Sequence, residues 1–171
     1  MRRRRIFAPP GLFPAAVGER LRPCYLLSMR FAAAFLSLLA TPAAAWEFTP
    51  MPVCTLSNDT DTGRVVVTYD PRLTEPYEIS VTGTAPWPDA PVFSMRFDGQ
   101  RGLVISTNRH RLSDGGRTLS VTDSGFGNVL DGLEFNNAAT ALAGDIAVPF
   151  PLAGAAPEVR AFRACVAAPT A

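Results

Sequence analysis

The sequence predicts a mostly β fold, an antiparallel β-sandwich or small barrel of about 7-8 strands with one C-terminal helix. Three observations predict it. Short runs rich in Val, Ile, Thr, Tyr and Phe alternate apolar with polar residues. Turn-forming clusters of Gly, Pro, Asn and Asp recur about every 8 to 12 residues. Two cysteines, Cys54 and Cys165, bracket nearly all of this region.

Pro52 to Leu56 reads as a first short strand holding Cys54, and Ser57 to Gly63 as a polar turn. Arg64 to Asp70 is the clearest strand, because β-branched residues dominate it and Pro71 ends it by withholding a backbone donor. Tyr77 to Val81 sets Tyr77, Ile79 and Val81 on one face against Glu78 and Ser80 on the other. Ala85 to Pro91 is a proline-stiffened loop that places Trp87 at the edge of the core.

Val92 to Phe97 and Leu103 to Thr107 flank a Gly-containing stretch, Asp98 to Gly102, at hairpin spacing. Arg117 to Thr122, entered through Asp114-Gly115-Gly116, alternates Leu119 and Val121 inward. Gly125 to Asn128 is a turn, and Val129 to Phe135 fits either a short helix or a strand. Ala138 to Ala143 and Ile146 to Phe150 sit on either side of Gly144-Asp145 as a closing hairpin, with Pro149 restricting the second strand to a sheet edge. Ala155 to Cys165 is the helix: Pro157 stands near its start, and Val159, Phe162 and Val166 recur at helical spacing.

With 171 residues the chain has room for one domain. Residues 29-45 are expected to be a signal peptide, with Arg30 as its basic start, Phe31 to Ala40 as its apolar run, and Ala43 and Ala45 as the small residues that signal peptidase accepts before Trp46. The apolar run is shorter than the roughly 20 residues that span a bilayer, so no stable membrane span is expected after cleavage. Residues 1-28, rich in Arg and interrupted by proline, fit no part of an export signal and are expected to be an upstream extension from a mis-assigned start. Residues 46-171 are then a single β-rich domain, periplasmic or secreted.

Removing the leader changes the charge. Seven of the 16 basic residues precede Trp46 together with a single acid, Glu19, so the remainder carries nine basic and 14 acidic side chains. A domain of that sign offers no electrostatic footprint for nucleic acid. There is no lysine, which removes Schiff-base chemistry and the P-loop lysine. Cys24 lies ahead of the signal, leaving Cys54 and Cys165 as an even pair that in an exported chain is expected to form a disulfide.

The chemistry-bearing residues are few. Arg109, Arg111 and Arg117 surround the single histidine, His110, and form the one local basic cluster, suited to a carboxylate or another anionic group through forked guanidinium contacts. A hydrolase using His110 with Ser106 or Ser113 and Asp114 is the alternative, although no G-x-S-x-G surrounds either serine. One histidine cannot supply a zinc site, so no metal is expected. Asn58-x-x-Asp61 with Gly63 lacks the alternation and the final glutamate of a calcium loop. Gly125-x-Gly127 lacks a dinucleotide fingerprint and its βαβ setting, so no cofactor is expected. Asp131 and Glu134 are a carboxylate pair with no sign of desolvation in the sequence around them.

The segments Val92 to Phe97, Asn108 to Gly116 and Gly125 to Phe135, in their order between Trp46 and Cys165, resemble a group of small exported alphaproteobacterial proteins of unassigned function. Some members of that group carry the label of a DNA-repair excinuclease, which does not suit a chain with a signal peptide, no G-x-x-x-x-G-K-[ST] loop and no lysine. The stretch Asp145 to Leu152, running through the helix to Cys165, is also weakly similar to the invasion-associated locus B family of periplasmic β proteins. The resemblance implies fold and compartment and carries no catalytic residue. The expectation is a non-enzymatic periplasmic binding or protein-interaction domain, its partner a periplasmic protein or a small anionic ligand.

Overall fold

The structure, a computed structural model, describes residues 45–167. The expected signal peptide up to residue 44, and the extension before it, lie outside the described residues. In chain order the strands are β1 (Glu47–Thr49), β2 (Cys54–Thr60), β3 (Gly63–Tyr69), β4 (Tyr77–Gly83), β5 (Phe93–Gly99), β6 (Leu103–Thr107), β7 (Arg111–Ser113), β8 (Thr118–Asp123), β9 (Asn136–Ala143) and β10 (Ile146–Pro151), with helices α1 (Gly127–Phe135) and α2 (Ala155–Ala167). A six-stranded sheet runs β1-β2-β3-β4-β8-β7 and a four-stranded sheet runs β10-β9-β5-β6. All neighbours are antiparallel, and both sheets keep free edges, so the architecture is a sandwich and not a barrel.

The alternation seen in the sequence places the core. Leu56, Val65, Val67, Ile79, Val81 and Leu119 of the larger sheet and Phe93, Met95, Phe97, Ala141, Val148 and Phe150 of the smaller one are buried in a single apolar cluster. The β5–β6 hairpin forms as expected, with Phe93 opposite Thr107 and Phe97 opposite Leu103. Pro149 lies in β10, an edge strand, where its missing N–H leaves no partner unpaired. Trp87 is more than an edge cap: it is buried, and its indole N–H donates to the Val81 carbonyl at 3.0 Å.

Three local details differ from the sequence reading, and a fourth that it left open is decided. Ser57 to Thr60 continue β2, because Asn58 faces inward beside Leu56 and the turn is only Asp61-Thr62, where Thr60 Oγ1 accepts the Gly63 N–H at 3.2 Å. A Cβ on Gly63 would fall 2.5 Å from the Thr82 carbonyl oxygen, which explains the glycine at that register. The two short strands β1 and β7 carry no alternation long enough to read, and each forms by lying along a longer neighbour. Val129 to Phe135 is helix: Val129, Leu130 and Leu133 share one buried face, a period of three to four that a strand cannot satisfy.

The terminal helix α2 packs Val159 and Phe162 fully into the core, with the Phe48 ring edge-on to Phe162 at 6.4 Å. The expected Cys54–Cys165 disulfide is present, joining α2 to β2 across Cα atoms 6.1 Å apart. Arg163 pairs with Asp131 and Glu134, and Arg160 with Glu134, so the two carboxylates of α1 tie it to α2. Asn136, just past α1, is buried; its Oδ1 accepts the Arg101 N–H and its Nδ2 donates to the Gly132 carbonyl, both at 3.0 Å. One side chain thereby closes α1 and fixes the β5–β6 turn.

Candidate functional site

Below the free edge of β6 a groove of about 830 Å³ opens between the sheets. Its floor is apolar: Ile79 of β4 and Val121 of β8 on one side, Phe93 and Met95 of β5 and Ile105 of β6 on the other. Phe126 and Val129 close its end at the start of α1. Phe126 is held there by stacking on Tyr77 at 5.4 Å, and Tyr77 leans in turn on Tyr69 at 4.8 Å. This aromatic row anchors the first turn of α1 to the larger sheet. Phe126 caps that turn without any side-chain hydrogen bond, so the leading N–H groups of the helix lack the usual Ser, Thr, Asp or Asn partner.

Two charged residues line the groove, Arg109 and Asp123, and they form an ion pair with each other. Arg109 also donates to Glu75 at 3.2 Å, and Glu75 accepts the Thr122 hydroxyl. Partial burial pushes the Asp123 carboxyl up, but the Ser124 backbone N–H and the Arg109 guanidinium outweigh it and hold the group below the ordinary aspartate value. The segment from Thr107 to Arg111 crosses from the smaller sheet to the larger one, so this clasp sits where the chain changes layers.

The four residues proposed from sequence are thus spread out. Arg109 reaches the groove. His110 turns toward Phe93, its ring 6.3 Å from the phenyl ring, and its Nδ1 is buried with no hydrogen-bond partner among the described residues. Arg111 is exposed on the edge strand β7, and Arg117, also exposed, donates to the Thr84 carbonyl at 3.4 Å. Of the cluster, only Arg109 lines the groove.

Ser106 lines the groove and shares a hydrogen bond with Ser94 at 2.8 Å, while Asp114 accepts from the Thr118 hydroxyl at 2.8 Å. No hydrogen bond among the described residues joins His110 to a serine or a carboxylate. Among the described residues no group of three or more His, Cys, Asp or Glu side chains is arranged to hold a metal ion, and no helix is long and apolar enough to cross a membrane.

Sequence reasoning did not single out Ile79, Val121 or Phe126 as site residues. Their signals are those of ordinary core positions, and only the offset between the two sheets leaves them beside a groove. No family model, curated protein or solved structure matches the chain.

Proposed function

We propose that the chain is an exported, non-enzymatic binding domain whose site is the groove between β6, β8 and the start of α1. One observation carries this reading: a concavity of about 830 Å³ with an apolar floor and polar side chains such as Ser106, Asn108 and Asn128 beside it, a size and character usual for binding sites in compact domains. The charges at its rim are already engaged, Arg109 with Asp123 and Glu75, and the Ser106 hydroxyl is shared with Ser94. The Cys54–Cys165 bond suits an oxidising compartment, in keeping with the signal expected at residues 29-45.

The test is titration of the purified, disulfide-intact protein with the apolar fluorophore N-phenyl-1-naphthylamine. Saturable, blue-shifted fluorescence is expected. Gly127→Trp and Val92→Trp should abolish it without lowering thermal stability, since a Cβ on Gly127 meets no heavy atom within 4 Å and Val92 is 45% exposed. Absence of saturable binding, or equal binding by both variants, rejects the groove as the site.

A further inference from the structure

We infer that the occupant of the groove is a β-strand: an extended peptide segment without acidic residues, apolar at alternate residues, that pairs with the free edge of β6 and extends the smaller sheet. The inference rests on the groove being the binding site and names what fills it.

The sheet edges carry the argument. An exposed edge presents a row of unpaired N–H and C=O groups, and folded proteins blunt such edges with charge, proline or very short strands. Three of the four edges here are blunted in one of these ways. β1 is three residues long and opens with Glu47, β7 is three residues long and opens with Arg111, and β10 carries Pro149 and Pro151. The fourth, β6, is Leu103-Val104-Ile105-Ser106-Thr107, five residues with no charge and no proline, and its Val104 is 60% exposed. Among the described residues, the unprotected edge is the one that borders the groove.

The groove fits a strand in two further respects. The smaller sheet ends at β6, so an added strand would continue its hydrogen-bond ladder along the groove that Ile105, Ser106 and Thr107 of β6 line. Side chains of a strand alternate across the sheet, so every second residue of the added segment would enter the apolar floor while the others remain in solvent. Charge decides the composition. Arg109 is already shared between Asp123 and Glu75, so the clasp carries a net negative charge and an acidic side chain in the groove would meet no free cation, whereas a Val or Ile would lose nothing.

The probe is a blocked peptide of alternating valine and threonine matched in length to β6, compared with two versions N-methylated at one or the other alternate set of residues. It is added to the intact, disulfide-bonded protein preloaded with N-phenyl-1-naphthylamine, and backbone hydrogen exchange is followed at residues 103–107. The expected result is displacement of the fluorophore, slowed exchange in β6, and about a tenfold or greater loss of affinity for one methylated version only, since methylation removes donors on one side of the strand. Displacement without change in either methylated version overturns strand addition, as does failure of the peptide to displace a bound fluorophore; in both cases the groove reading survives. Sedimentation of the protein alone adds the remaining outcome: self-association that slows exchange in β6 without peptide makes a second copy the occupant and overturns the peptide. If the fluorophore itself does not bind, both the groove and the inference fall.

Discussion

Gly132 lies against the ring of Phe97 so closely that a Cβ on the glycine would fall 2.6 Å from the ring's Cδ2. Phe97 is fully buried, so the ring has nowhere to retreat. The contact sets how closely α1 approaches β5, and through α1 it sets where Phe126 closes the groove.

Gly132→Ala is therefore expected to destabilise the fold even though alanine favours helix by about 1 kcal/mol over glycine. Overpacking of a filled core costs about 1 to 3 kcal/mol, which exceeds that gain. Urea unfolding should show a lower midpoint at an unchanged slope; a midpoint equal to or above wild type would contradict the packing described.

Two buried asparagines should respond in opposite directions. Asn136 satisfies the Arg101 N–H and the buried Gly132 carbonyl, so Asn136→Ala leaves that carbonyl without its side-chain donor at a cost of about 1 to 3 kcal/mol. Asn58 is 1% exposed, and neither atom of its amide has a partner among the described residues. Asn58→Leu is expected to be neutral or stabilising, because it exchanges an unpaired amide for apolar packing of similar size. Chemical denaturation of both variants checks the contrast.

The disulfide closes 111 residues of separation, for which the chain-entropy treatment gives at most about 4.7 kcal/mol. The double variant Cys54→Ala with Cys165→Ala should lose several kcal/mol, and hydrogen exchange should show α2 opening before the central strands. Equal protection of α2 in both proteins would rule out the staple as its anchor.

Acid should weaken the Arg109–Asp123 clasp in a predictable window. Asp123 titrates below its ordinary value in the folded chain, so its contribution is complete above the unfolded aspartate pKa and is lost as pH falls through the lower folded value. Its side chain is 37% exposed, so the effect is small and salt-screened. Asp123→Asn should match or fall slightly below wild type in stability at neutral pH, and any difference should vanish under acid. A difference that persists or grows at low pH would show that the ionised carboxylate is not its source.

Much of the sandwich was legible because it rests on local patterning. The alternation of Tyr77, Ile79 and Val81, the hairpin spacing between Phe97 and Leu103, the edge position of Pro149 and the helical spacing of Val159 and Phe162 each follow from a short-range physical rule. Val129 to Phe135 stayed ambiguous for the same reason, since a short apolar run suits both periods until something packs on it. The Asn58 segment looked like a turn because its polar side chains are those that usually make one, and only pairing with β3 draws it into the sheet.

Composition, periodicity and cysteine parity belong to the chain alone, and from them follow the strand-rich class, the terminal helix, the pairing of Cys54 with Cys165 and the absence of lysine chemistry. The site follows from none of them. Arg109, Arg111 and Arg117 stand close in sequence, yet the chain changes sheets between Thr107 and Arg111, and Arg109 lines the groove while Arg117 donates to the Thr84 carbonyl. Ile79, Val121, Ile105 and Phe126 come from four separate segments and become neighbours only through the packing of the two sheets and the start of α1. A groove formed between layers has no local signature, because it is defined by side chains that only tertiary packing brings together.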